Sequence, residues 1–218
     1  MRAALSWMLL MSSMHGDVID RIAVTVDTSV ITMSEIVLQL RITAMLEDKP
    51  LKLDEEAFRE AADRLIGQTL VRREIAIADY PAPSPDVADK ALQDLKQQRY
   101  GSDAIYRAAL QKYGVTEAAL KSQLLWQLTL LRFVEVRFRP SVQIPTEEVR
   151  AYYREKFTPD WQQRSNQPVP TLPRVREQIE STLTEERIAT AMDRWLNLTR
   201  SQLPIVYREE AFKNGVAP

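Results

Sequence analysis

Residues 116–139 constrain the fold more than any other stretch, because apolar side chains recur there at helical steps on two faces. Thr116 precedes the apolar run and Glu117 follows Thr116, which predicts an N-cap and a carboxylate at the positive end of a helix dipole. Charged and amide side chains interrupt the run before it reaches the roughly 20 apolar residues that a membrane span needs. A helix that is apolar almost all round is normally buried, so we predict a central core helix. The alternative is a helix with one face covered and another face offered to a partner.

Residues 1–16 have the pattern of a signal peptide. Arg2 supplies one positive charge, a short apolar run extends to Met11, and small or polar residues lead to Gly16. We therefore expect an exported protein that is cleaved near Gly16. An ordinary first helix, an uncleaved anchor and a wrongly assigned start codon are the alternatives.

Strand signals occur towards the two ends of the chain. Residues 18–31 are rich in β-branched side chains around a turn at 27–29, and residues 205–207 follow Pro204 as a short strand candidate. An isolated strand is not stable, and no other segment has strand character, so we predict that the two ends pair. The predicted fold class is mainly α, a multi-helix module with a small β-sheet that joins an N-terminal hairpin (about 18–31) to a C-terminal strand (about 204–208).

Helix start and stop signals divide the rest of the chain. Residues 32–35 match a capping box, Ser84 and Ser102 are predicted N-caps, and Gly114 is predicted to close the helix that Ser102 begins. The predicted helices cover about residues 33–48, 54–79, 84–101, 102–114, 116–139, 146–157 and 171–204.

Residues 158–173 are polar and proline-rich and show no apolar period, which predicts a linker. Trp161 is unusual in such a segment, and we expect it either to be docked on the body of the protein or to face a ligand. The predicted domain organisation is a helical module over residues 17–157, this linker, and a C-terminal helix and strand over residues 174–218 that complete the same domain.

Catalytic patterns are nearly absent from the sequence. The chain has no cysteine, and its one histidine, His15, lies in the predicted signal peptide. No glycine-rich phosphate loop occurs, and the formal net charge of −1 argues against binding to nucleic acid. Adjacent glutamates such as Glu147 and Glu148 point about 100° apart on a helix, so we expect solvated charges there and not a catalytic pair. We therefore predict no enzyme activity, no metal, no cofactor and no use of ATP.

Four segments carry a family resemblance when they are taken in order along the chain. They are VIDRIAVTVDTSVITMSEI, LIGQTLVRREIAIADYPAPSPDVADKAL, YRAALQKYGVTEAALKSQLLWQLTLLRFVEVRF and IPTEEVRAYY. Together they resemble the N-terminal module of the SurA-type periplasmic chaperones, which a helix and a strand from the far end of the chain complete. The family usually inserts one or two parvulin-type prolyl isomerase domains between these halves, and here only residues 158–173 stand in that place. The resemblance therefore implies the chaperone module without isomerase activity.

This resemblance implies a soluble, ATP-independent periplasmic holdase that keeps unfolded outer-membrane or secreted proteins from aggregating. Its partners would be unfolded or extended polypeptides, with no nucleic acid and only indirect membrane contact. It would be a monomer or a dimer that swaps C-terminal helices. We expect an apolar and aromatic client groove lined by Leu38, Met45, Trp126, Phe133, Tyr153 and Trp161. The alternatives are a degenerate or accessory prolyl isomerase and a dedicated assembly factor for one specific protein.

Overall fold

A computed structural model describes residues 20–213 of the chain. The predicted signal peptide, residues 1–16, lies outside the described residues. The described part is mainly helical and contains a three-stranded antiparallel sheet, which confirms the predicted fold class.

The sheet joins the two ends of the chain, as predicted. Its strands are β1 (Ile22–Val26), β2 (Ser29–Thr32) and β3 (Ile205–Tyr207), in the order β2-β1-β3. Thr25 in the central strand pairs with Val30 on one side and with Val206 on the other. The final strand therefore completes the sheet that the N-terminal hairpin begins.

Two helices cover the inner face of the sheet. Helix α1 (Met33–Glu47) begins with the predicted capping box, in which Thr32 and Glu35 hydrogen-bond to each other's backbone N–H. Helix α2 (Glu55–Ala78) begins where the Asp54 carboxylate accepts from the N–H of Ala57. We call the buried cluster between the sheet, α1, α2 and the short C-terminal helix α9 (Glu209–Lys213) the sheet end. Its largest fully buried side chains are Val24, Ile36, Phe58, Ile66 and Phe212.

Three further helices follow. Helix α3 (Asp86–Leu95) continues through a π-helical turn to Gly101, and α4 (Asp103–Tyr113) begins at the predicted Ser102 cap and ends at Gly114. The prediction that Ser84 caps α3 is wrong, because Pro85 occupies the N-cap position and no side chain caps the helix. Helix α5 (Glu117–Arg137) begins at Thr116, whose hydroxyl accepts from the N–H of Ala119.

The prediction that α5 is a central core helix is wrong. It buries only Leu120, Trp126 and Phe133, and Leu131 is 57% exposed. The physical reason is that α5 divides its apolar residues between two separate clusters. Leu120 packs with α1 and α4, whereas Trp126 and Phe133 pack with α2 and the last long helix. The alternative, a helix with one face covered, describes α5 better.

The predicted linker is partly helical. Helix α6 (Thr146–Tyr152) runs through a π-helical turn (Tyr153–Phe157) directly into α7 (Thr158–Arg164), so residues 158–164 do not form a loop. The wider π-helical turn immediately precedes Pro159, whose missing N–H and bulky ring disrupt a regular helix. Residues 165–171 then have no regular structure.

Helix α8 (Leu172–Gln202) ties the described regions together. Its 31 residues correspond to a length of about 46 Å. Its first turns pack on α6, its middle turns pack on α2 and α5, and Leu196 and Leu203 reach the sheet end before β3 begins. The buried residues along it therefore belong to several clusters and not to one common core.

Candidate functional site

Three of the six residues predicted to line a client groove are core residues. Met45 and Phe133 are each 1% exposed, and Trp126 is 5% exposed. Met45 packs with α4 and α5, whereas Trp126 and Phe133 share a different cluster with α2 and α8. The predicted single groove is therefore wrong for these three, because neighbouring helices cover apolar faces that the sequence presents at helical spacing.

The Trp126 cluster is closed by its own neighbours. The Arg72 guanidinium lies 4.0 Å above the Trp126 ring, and Phe133 meets the rings of Tyr80 and Trp195 at centroid distances of 5.1 and 5.6 Å. Partial desolvation of this guanidinium lowers the pKa of Arg72 below its ordinary value, although the residue as a whole is exposed. These contacts fill the space that the prediction assigned to a client.

The other three predicted residues are accessible, and two of them are brought together. Leu38 is 37% exposed on α1 and belongs to none of the buried clusters among the described residues. Tyr153 and Trp161 lie on the same face of the continuous helix from α6 to α7, with Phe157 between them. Phe157 was not predicted as a site residue, although its spacing of four residues from both neighbours was a usable signal.

Tyr153, Phe157 and Trp161 form a stack that we call the aromatic ladder. Successive ring centroids are 5.8 Å apart, and the ring planes deviate from parallel by only 16° and 24°. Side chains four residues apart lie one above the other on a helix, so the uninterrupted passage through the π-helical turn makes this stack possible. All three residues remain half-buried.

The base of the ladder is anchored in a buried cluster. Val149 on α6 packs with Val175, Ile179 and Leu183 on α8, and Tyr153 and Phe157 lie against this cluster. Trp161 lies one helical turn beyond Phe157 and extends the stack away from the cluster. The ladder therefore has its base on a buried cluster and its outer end outside that cluster.

A non-helical segment of the same chain is hydrogen-bonded to the two end members of the ladder. Residues 167–170, Gln-Pro-Val-Pro, are called the proline segment here. The indole N–H of Trp161 donates to the Gln167 carbonyl at 3.1 Å, and the Tyr153 hydroxyl donates to the Pro170 carbonyl at 2.8 Å. Trp161 is thus held against the protein, which agrees with the docked alternative predicted for it. The ladder offers flat apolar faces and two donors to a peptide backbone, which is chemistry suited to binding a polypeptide.

Charged groups surround the ladder without entering it. Arg164 pairs with Asp160 at 3.6 Å, and the Lys156 ammonium lies 5.9 Å from the Tyr152 ring centroid. Between residues 20 and 213, every buried residue is apolar or aromatic, and no group of His, Asp or Glu side chains could hold a metal ion. None of the helices in that range has the length and hydropathy of a membrane span.

Open clefts lie elsewhere on the molecule. One of about 520 Å³ lies between α6 and α8 and contains the ion pair of Arg187 with Glu148. Another, of about 540 Å³, lies between α1 and α4 beside Tyr100 and Tyr113. Burial raises the pKa of Tyr100, which keeps this hydroxyl protonated over the ordinary pH range. Neither cleft contains any of the accessible predicted site residues.

Comparison with known proteins adds no family assignment. No protein-family model matches the chain, and no curated protein matches it. The resemblance to SurA-type chaperones therefore stays a prediction that rests on the four segments quoted above.

Proposed function

We propose that the protein is an ATP-independent periplasmic holdase that binds extended segments of unfolded outer-membrane or secreted proteins. The observation that carries the proposal is the aromatic ladder, whose two end members donate side-chain hydrogen bonds to backbone carbonyls of a non-helical segment. The resemblance of residues 18–157 to SurA-type chaperones supports the same function.

The chemistry of the ladder suits a binder of many different chains. Every residue of a polypeptide has a backbone carbonyl group. Side chains that donate hydrogen bonds to such groups therefore recognise an accessible backbone and not a particular sequence. Aromatic rings add a large apolar contact area at a low cost in side-chain entropy, because they have few rotatable bonds. A holdase needs this combination of moderate affinity and broad specificity.

Aggregation of an outer-membrane β-barrel protein diluted from urea, followed by light scattering without ATP, tests the proposal. We expect the protein to suppress scattering at near-stoichiometric amounts, and Trp161→Ala to suppress it several-fold less. Leu131→Ala is the matched control, because it removes an apolar side chain that is 57% exposed on α5, a helix that contributes no residue to the ladder or to the cluster beneath it, and it should leave suppression unchanged.

Other outcomes favour the alternatives. Absence of suppression across several unrelated clients, together with a pull-down that recovers one folded partner, would favour a dedicated assembly factor. Turnover of a proline-containing peptide above the uncatalysed rate would favour an isomerase, since that exchange is slow without a catalyst.

A further inference from the structure

We propose that the proline segment is an internal competitor for the aromatic ladder, and that the ladder's preferred external ligand is a proline-rich polypeptide in the polyproline II conformation. The inference rests on the proposed binding of extended polypeptides and adds a ligand class and a means of regulation. Under this proposal a client binds the ladder only after residues 167–170 leave it.

The sequence of the segment preorganises it as polyproline II. Pro168 and Pro170 each have φ fixed near −65°, and a residue that precedes proline is pushed to extended conformations. Gln167 and Val169 both precede a proline. Thr171, which follows directly, has φ −65° and ψ 150°, close to the values of a polyproline II helix.

The spacing of the two hydrogen bonds matches this conformation. Polyproline II has three residues per turn and rises about 3.1 Å per residue, so carbonyl groups three residues apart point the same way and lie about 9 Å apart. The two accepting carbonyls, of Gln167 and Pro170, have this three-residue separation. The donors are Tyr153 and Trp161, which are two ladder steps apart on one helix face. A segment in one turn of polyproline II would therefore present both carbonyls to the two ends of the ladder.

Nothing in the two hydrogen bonds is specific to this chain's own segment. Both acceptors are backbone carbonyls, and stacked aromatic side chains with outward-facing donors are the surfaces on which proline-rich ligands dock in several recognition domains. Another segment of the same conformation can make both contacts. The ligand class is therefore defined by backbone shape and proline content.

The internal segment is bound loosely enough to be displaced. Pro168 and Val169 make no hydrogen bond within the described part of the chain, and Gln167 and Pro168 are exposed. Only five residues separate Trp161 from Gln167, so the tether keeps the segment at a high local concentration. When the tethered segment occupies most ladders, only the remaining free fraction can bind an external ligand. The apparent dissociation constant then equals the intrinsic one divided by that free fraction.

Isothermal titration calorimetry with a synthetic peptide tests the inference. The probe is the octapeptide with the sequence of residues 165–172, SNQPVPTL, and the control peptide has glycine in place of both prolines. We expect the Pro168→Gly, Pro170→Gly double variant of the full chain to bind the probe about tenfold or more tightly than the unchanged chain does. Adding Trp161→Ala to the double variant should abolish this binding, and the glycine peptide should bind at least several-fold more weakly.

A second measurement covers the case in which the double variant does not fold. In the unchanged chain, saturating probe peptide should shift the ¹⁵N–¹H resonances of the Trp161 indole and of the Val169 amide, because the tethered segment is released into solvent. Equal affinity of the double variant and the unchanged chain, or equal binding of the two peptides, would overturn the inference.

The inference and the proposed function fail separately. In one outcome, the chain suppresses client aggregation while the double variant binds the probe peptide no more tightly than the unchanged chain. That result would support the holdase function and contradict competition by the proline segment. Tight probe binding by the Pro168→Gly, Pro170→Gly double variant, without suppression of aggregation for any client, would support the ladder as a site for proline-rich peptides and would contradict the holdase function.

Discussion

The sheet end and the aromatic ladder are both built from apolar side chains, but they differ in what those side chains contact. At the sheet end, residues from both ends of the chain meet, and Val24, Phe58 and Phe212 are at most 1% exposed. In the ladder, the ring contacts link residues only four positions apart, and every ring keeps part of its surface accessible. Long-range burial characterises the first region and local stacking the second.

This difference separates stability from recognition. Apolar area removed from water stabilises a fold in proportion to its size, so the sheet end should contribute most to the free energy of unfolding. An aromatic stack that stays half-buried contributes less to stability, and under our proposal it exchanges one bound segment for another. Helix α8 connects the two regions, since it begins beside the ladder and ends at β3.

The largest expected effect follows from truncating one phenylalanine in each region. Phe58→Ala removes a ring that is 1% exposed, and it should lower the free energy of unfolding by about 3–5 kcal/mol. Phe157→Ala removes the half-buried middle ring of the ladder and should cost only about 1–2 kcal/mol. Urea unfolding followed by far-ultraviolet circular dichroism measures both values.

Equal losses of stability in the two variants would break the comparison, because they would show that the ladder is a structural core. The same two substitutions also distinguish the regions when peptide binding is measured. Added to the Pro168→Gly, Pro170→Gly double variant, Phe157→Ala should weaken binding of the probe peptide, whereas any folded fraction that carries Phe58→Ala should still bind it.

An intermediate effect is expected from the hydroxyl groups of two tyrosines, one in each region. The Tyr207 hydroxyl donates to the Asp63 carboxylate at 2.6 Å, whereas the Tyr153 hydroxyl donates to the neutral Pro170 carbonyl. A hydrogen bond to a charged group is worth more, so Tyr207→Phe should lower global stability by about 1–2 kcal/mol and Tyr153→Phe by about 0.5–1 kcal/mol. Urea unfolding midpoints of the two variants show which substitution lowers stability more. A larger loss in Tyr153→Phe would contradict the expected order.

The architecture of the sheet end could be predicted from sequence because its signals are local and unambiguous. The capping box at Thr32 and Glu35 requires residues only three positions apart. β-branched residues marked both strands, and the need of each strand for a partner left one pairing. By contrast, the burial of Met45, Trp126 and Phe133 depends on which helices cover them, and periodicity does not report the positions of neighbouring helices.

The ladder was only partly predictable for a different physical reason. Residues 158–173 are polar and proline-rich without an apolar period, and the prediction of a linker followed from that composition. The π-helical turn before Pro159 keeps the helix continuous, so Phe157 and Trp161 stay on one face. Whether a proline breaks a helix or is accommodated depends on the packing around it, here the cluster of Val149 with α8.

The smallest expected effect is a difference in response to acid. The hydrogen bond from Arg59, together with the positive charges of Arg59 and Lys213, lowers the pKa of the Glu209 carboxyl at the sheet end below the ordinary value of 4.5. A carboxylate whose pKa is lowered by folding stabilises the protein above its unfolded pKa, and the contribution is lost as the pH falls through the lowered value. The ladder contains no carboxylate. The sheet end should therefore weaken below about pH 4.5 while the ladder contacts persist.

Unfolding midpoints measured between about pH 6 and about pH 3 test this difference. Glu209→Gln should flatten the acid side of the stability profile slightly and leave the rest unchanged. The flattening is partial because Glu117, which Lys96 holds by a hydrogen bond, also has a lowered pKa and contributes to the same decline. In the Pro168→Gly, Pro170→Gly double variant, the affinity of the ladder for the probe peptide should stay constant over the pH range in which the chain is folded. A drop in peptide affinity parallel to the loss of sheet-end stability would mean that the two regions are coupled through α8 and do not act separately.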